Sequence, residues 1–333
     1  MRRLLLIVLP VLLLAGAAYH YRYQWLPKAE YDGQPNRYRV VIDDAQRRAT
    51  VEASIWVDST YLSMFDVQAV PGLPEGIVDL VDDLQVRDAD GDLLSPRYLG
   101  VGDYEVRPGQ RLSLSYSVRL EHDDFTWPAG KEEVAYRSTD GWLFKMSSLL
   151  FADGGATPQG AMEIRFELPE GWQAYTPWQR AEGEHSFHAA NRRELINNVA
   201  FFGQAHVETI QAGGVEITLV LGSRYRDAVP QFRDLLDRQA RTYAGLFGGQ
   251  PLATRYLVVV NEGEIGDGGA FSNSFSQLVV GEADDAGRVV WGHTMAHELL
   301  HFWNGLSLVP ADAREEWFKE GVTDYLTIAT LAQ

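Results

Sequence analysis

The hydrophobic period of this chain changes once, and that change constrains its fold more than any other feature. From about Tyr38 to Leu221, apolar and polar residues alternate with a period of two, in short runs broken by Gly, Pro, Asp and Asn. Such alternation marks half-buried strands, because successive side chains point to opposite faces of a sheet. "RLSLSYSVRL" puts Leu112, Leu114, Tyr116, Val118 and Leu120 on one face, and "MEIRFEL" does the same with Met162, Ile164, Phe166 and Leu168. In "VETIQAGGVEITLVLG", Gly213 and Gly214 supply a hairpin turn between strands that open at Val207 and Val215. These runs predict an N-terminal antiparallel β-sandwich over residues 30–222.

Past residue 223 the spacing becomes three and four: Val229, Phe232, Leu235, Leu236, Tyr243, Leu246 and Phe247. That spacing predicts a helix with Pro230 in its first turn and Gly248 just past its end. "RYLVVVN" (Arg255 to Asn261) reads as a buried strand, the Gly-rich "GEIGDGGAFSNS" as a loop, and "FSQLVVG" as a further strand. Two helices close the chain, from about Val289 to Asn304 and from Glu315 to Leu331, joined by a loop holding Pro310. The expected fold class is therefore α+β, with a mixed α/β domain over residues 223–333.

A chain of 333 residues is long enough for more than one core. It contains no cysteine, which excludes disulfides, thiolate metal sites and cysteine nucleophiles, so a transition metal would have to be held by histidine and carboxylate. With 46 acidic and 29 basic residues, it lacks the basic surface that a nucleic acid or an anionic membrane requires. No nucleic-acid partner is expected.

The N-terminus, "MRRLLLIVLPVLLLAGAAYHYRYQW", sets Arg2 and Arg3 before an apolar run from Leu4 to Ala18. Residues 1–25 read as an export segment. Ala15 and Ala17 make a small-residue cleavage pattern, whereas Tyr19, Tyr21, Tyr23 and Trp25 make an interfacial belt suited to an uncleaved anchor. Both forms place the rest of the chain outside the cytoplasm, with membrane contact only through this segment if it is retained.

The chemistry is concentrated in "HTMAHELLHFWNGLSLVPADAREEWFKEGVTDY", His293 to Tyr325. On a helix, His297 and His301 lie one turn apart on one face and can offer two imidazole nitrogens to one ion. Glu298 beside them can reach a water on that ion as a general base. At this chain's composition an HExxH pattern arises by chance in roughly one chain in a hundred. Glu320, separated from His301 by eighteen residues and set on the next helix, supplies the third ligand that a catalytic zinc site needs. Asp324, one turn further, is placed to accept the remaining N–H of a ligating histidine. Trp303, Trp317 and Phe318 are expected to pack the two helices together. His293 is read as structural, since another histidine ligand would close the position that water needs.

"HELLHFWNG" followed by "WFKEGVTDY" resembles the zinc signature of the gluzincin metallopeptidases, most closely the glycyl aminopeptidase family and more distantly aminopeptidase N. The resemblance implies an N-terminal β-domain before a thermolysin-like zinc domain, one Zn2+ held by His297, His301 and Glu320, and Glu298 as catalytic base. It also implies that the segment before the zinc helix binds substrate, here Gly268, Gly269, Ala270, Ser272 and Asn273, with "FSQLVV" offering an edge strand. Ser272 stands where the family has the glutamate that holds the substrate's free amine. Family members continue into a helical subdomain and often a PDZ domain. This chain stops thirteen residues after Glu320, so its zinc domain is expected to be incomplete at the C-terminus, and the last helix is expected to leave Leu326, Ile328 and Leu331 uncovered. The expected function is an exported zinc metallopeptidase acting on a peptide or protein substrate. The alternative is a zinc-stabilised, non-catalytic peptide-binding module.

Overall fold

Alternation along the N-terminal strands becomes one large sheet with a single buried face. The computed structural model describes residues 30–128, 130–155, 160–284, 287–309 and 316–332; the export segment lies outside them. Among the described residues no helix is long and apolar enough to cross a membrane. The eight strands of the sheet are β1 (Asn36–Asp43), β2 (Arg48–Val57), β3 (Val81–Arg87), β4 (Leu93–Leu94), β5 (Gln110–Arg119), β6 (Met162–Glu167), β7 (Gln179–Arg180) and β8 (Ser186–Ala189). Their spatial order is β7-β8-β6-β1-β2-β5-β3-β4. Pairing is antiparallel except between β1 and β6, which run parallel, so the sheet is mixed where a purely antiparallel one was expected. Tyr38, Val40 and Ile42 of β1 point inward with Leu112, Leu114, Tyr116 and Val118 of β5 and Met162, Ile164 and Phe166 of β6. Arg39 of β1 points out and bonds to Glu52 and Glu167. Two four-stranded sheets, one built around Gly141–Lys145 and Val199–Gly203, complete this region.

The second region is a five-stranded sheet, β9 (His206–Ala212), β10 (Val215–Leu221), β11 (Arg255–Glu262), β12 (Asp267–Ala270) and β13 (Ser274–Val279), in the order β9-β10-β11-β13-β12. The β9-β10 hairpin, with both glycines at positive φ, was expected in the N-terminal sandwich and belongs here instead. β10 runs parallel to β11, and β11 parallel to β13. A strand with no alternation must be covered on both faces. One face of this sheet packs Ile217, Leu219, Val258, Val260 and Phe275 against helices α2 (Val229–Leu246) and α3 (Arg288–Leu300), introduced after the short α1 (Arg192–Ile196). The other packs Val220, Leu257, Val259 and Leu278 against Leu143, Val199 and Phe201 of the N-terminal region. The segment read as a Gly-rich loop therefore contains the edge strand β12, and β13, read as an edge, is interior. The final helix, α4 (Glu316–Leu331), packs on α3.

Five polar residues lock the two regions together. Asn198, fully buried, donates to Glu194 O and Asn273 Oδ1, and its Oδ1 accepts from Asn273 N and Ser274 Oγ. Asn197 Nδ2 donates to Ser272 Oγ, and Ser272 N to Asn197 O. Asn198→Ala would leave several of these groups unpaired in the interior, and a cost of roughly 2–4 kcal/mol is expected in denaturant unfolding.

Candidate active site

Helix α3 carries His297 and ends at His301, its C-cap residue, and the chain turns at once through Asn304 and Gly305. Gly305 has φ +112°, and a Cβ there would meet the Lys319 side chain at 2.7 Å. Asn304 ties the turn to α4: its Nδ2 donates to Lys319 O and to Thr323 Oγ1, both at 3.0 Å. Its backbone oxygen accepts from His301 Nδ1 at 3.0 Å. Asp324 Oδ1 accepts from His297 Nδ1 at 2.8 Å.

These two bonds settle the tautomers, since a carboxylate and a carbonyl only accept. Each Nδ1 carries its proton, and in the neutral ring each Nε2 presents a lone pair. The Nε2 atoms face each other at 3.0 Å, and each is 3.2 Å from Glu320 Oε2. Three acceptors converging at this range repel one another unless a cation lies among them. A tetrahedral shell with bonds of about 2.0–2.1 Å spaces its ligand atoms about 3.3 Å apart, close to what these side chains show. His297, His301 and Glu320 therefore fit a divalent metal, and among the described residues they are the only such His/Asp/Glu group.

Electrostatics follow from this packing. When an imidazole takes up a second proton, its Nε2–H donates to Glu320 instead of facing it as a lone pair, and such bonds to the two histidines hold Glu320 well below the usual carboxylate range. Burial pushes His297 down, but the bond to Glu320 and the charges of Glu298, Asp324 and Glu320 outweigh it, and the net direction is up. Burial raises Glu298, with the two histidines opposing and Glu320 and Glu133 adding to the rise. Glu298 lines a cavity of ≈ 250 Å³ with the three candidate ligands, Gly268, Gly269, Ala270 and Glu133.

The structure thus brings together His297, Glu298, His301, Glu320, Asp324 and Gly268 to Ala270. It does not bring in Ser272 or Asn273. Both sit in the tight turn between β12 and β13, where they face away from this cavity and bond with Asn197 and Asn198 of the N-terminal region. Trp317 and Phe318 are 74% and 52% exposed rather than packed between helices, while Trp303 is buried and donates to Gly249 O. Of the apolar residues expected to lie uncovered on the last helix, Leu326 and Leu331 pack against the second core and Ile328 stays exposed. His293 lies 3.9 Å from Asp324 and is not part of the converging set. Sequence reasoning missed Glu133, which a short turn of the N-terminal region delivers to the cavity, and the tethering role of Asn304.

The model of the peptidase M61 N-terminal domain matches residues 37–203. The chain belongs to the peptidase M61 family. An aminopeptidase N family protein from Idiomarina loihiensis shares the fold, with a TM-score of 0.70 at 21% identity over 89% of this chain and 54% of that chain. The M61 chain thus spans about half the length of that structure. No curated protein matches it. The M61 match ends before β9, in agreement with the hairpin's place in the second sheet.

Two outcomes follow for metal binding. Asp324→Ala is expected to weaken divalent-metal affinity by about 10–100-fold at unchanged stoichiometry, measured by calorimetric titration. Because histidine must shed its proton to ligate and His297 holds its proton more firmly than usual, affinity should fall as pH drops from about 7 toward 6.

Proposed function

We propose that this M61 chain is a zinc-dependent metallopeptidase that hydrolyses peptide bonds outside the cytoplasm, in a thermolysin-like domain of gluzincin type. The observation that carries the reading is the convergence of His297 Nε2, His301 Nε2 and Glu320 Oε2 beside the half-buried carboxylate of Glu298. When bound, zinc supplies Lewis acidity, polarising a peptide carbonyl and lowering the pKa of water. The remaining work belongs to the chain's own side chains. Glu298 takes a proton from the attacking water and passes it to the leaving amine. Its raised pKa suits both halves of that transfer, since a proton carrier works best when it is neither a strong acid nor a strong base at the working pH.

Substrate is held by β12. Among the described residues no strand pairs with its outer edge, and an extended peptide can add to it as a further strand. Gly268 permits this placement: a Cβ there would meet Thr294 of α3 at 2.9 Å and Glu298 Cγ at 3.3 Å, so a larger residue would push strand and helix apart. Asp324 and Asn304 hold the two imidazoles in orientation and do not contact substrate. The export segment at residues 1–25 supports an extracytoplasmic location.

Glu298→Gln tests the chemistry. The variant should bind zinc with the same stoichiometry as the parent and lose peptide turnover by about 10²–10⁴-fold. Turnover equal to the parent's would sink the mechanism.

A further inference from the structure

Glu133 is the wall between two cavities. One is the cavity over Glu298; the other, of ≈ 330 Å³, opens into the N-terminal region and is lined by Asp66, Val67, Ile77, Trp127, Val134 and Lys145 together with Glu133. We propose that this second cavity is a subsite for a basic side chain of the bound peptide. The proposal rests on the peptidase reading only in taking β12 as the place where the peptide lies.

The apolar floor comes first. Ile77, Trp127 and Val134 are buried members of the N-terminal core, and Val67 packs against it, so the floor is rigid and suited to an alkyl stem. The charge at its margin is unbalanced. Lys145, itself almost buried, places Nζ 3.5 Å from Asp66 Oδ2 and 3.5 Å from Glu133 Oε2, and 5.2 Å from the ring of Phe271. Both separations exceed the roughly 2.7–2.9 Å of a close ammonium–carboxylate bond. One ammonium is thus shared by two carboxylates, which leaves one negative charge over. A side chain with an alkyl stem and a cationic head answers both features: the stem covers the floor and the head supplies the missing charge. A glutamate would add a third carboxylate, and norleucine would gain only the floor.

The cavity also lies where a peptide on β12 would pass. The turn Lys131–Glu133 packs against β12 and β13, and a Cβ on Gly269 would lie 3.1 Å from Glu133 Oε1. The glycine lets the carboxylate rest on the edge strand, so a peptide on that edge runs beside Glu133.

The test uses binding, so that it does not depend on turnover. Zinc-loaded full-length chain carrying Glu298→Gln is titrated calorimetrically with amidated pentapeptides Ala-Ala-Xaa-Ala-Ala, where Xaa is Lys, Arg, norleucine or Glu, each with a free and an acetylated N-terminus. Lys and Arg peptides should bind about five- to tenfold more tightly than norleucine, and Glu peptides most weakly. Adding Asp66→Asn or Glu133→Gln should reduce the Lys advantage to about twofold or less. Asparagine suits the positive φ of residue 66, so that variant should keep its backbone. Acetylation should change nothing. Equal affinity for Lys and norleucine, an advantage that survives both substitutions, or one that follows the free N-terminus would each overturn the subsite. Absence of binding by any peptide would overturn it too. A Lys preference in binding, with no hydrolysis by the parent chain, would keep the subsite and sink the peptidase reading.

Discussion

Three lone pairs aimed at one point are the constraint on which the rest of the α3–α4 region depends. His297 Nε2, His301 Nε2 and Glu320 Oε2 stand within 3.2 Å of one another, an arrangement that is unfavourable without a cation and strongly favourable with one. The surrounding residues hold that arrangement in place. Asp324 and the Asn304 carbonyl take the outward N–H groups, which turns both lone pairs inward. The Asn304 side chain fixes α4 against the end of α3, and Gly305 gives the chain room to turn beneath Lys319. A bound cation would offset the stability lost in gathering three acceptors, and so link the folding of this region to metal.

The larger scaffold serves the same placement. β11 is apolar on both faces because helices cover one and the N-terminal sheet covers the other. That double burial fixes how α3 sits relative to the N-terminal region, and it brings Glu133, far away in sequence, to the cavity of Glu298. The cleft is therefore a joint product of the two regions, and the Asn197/Asn198 contacts to Ser272 and Asn273 hold them together.

Legibility in the sequence followed the range of the interactions. The convergence of His297, His301 and Glu320 was readable because helical periodicity places the two histidines on one face, and one further turn of α4 relates Glu320 to Asp324. The hairpin at Gly213 and Gly214 was equally plain, but not its sheet, since an alternating strand can pair in either region and only the parallel register with β11 decides. Ser272 looked like a substrate residue by its position in a motif, whereas its partner Asn197 lies in another domain. Trp317 and Phe318 misled because the buried side of α4 is written partly in threonine. Thr323, Thr327 and Thr330 face inward at helical spacing, and Thr330 Oγ1 bonds back to the Leu326 and Thr327 carbonyls. The two aromatics fall on the opposite side. Glu133 carried no local signal at all.

The central claim is that the converging acceptors form a metal site of defined ligands. X-ray absorption at the zinc K edge of the metal-loaded chain, combined with anomalous diffraction, tests this most directly. A single zinc bonded to two imidazole nitrogens and a carboxylate oxygen at about 2.0–2.2 Å, located between His297, His301 and Glu320, is expected. Zinc absent from that position, or held there through His293 or Asp324 instead, would contradict it.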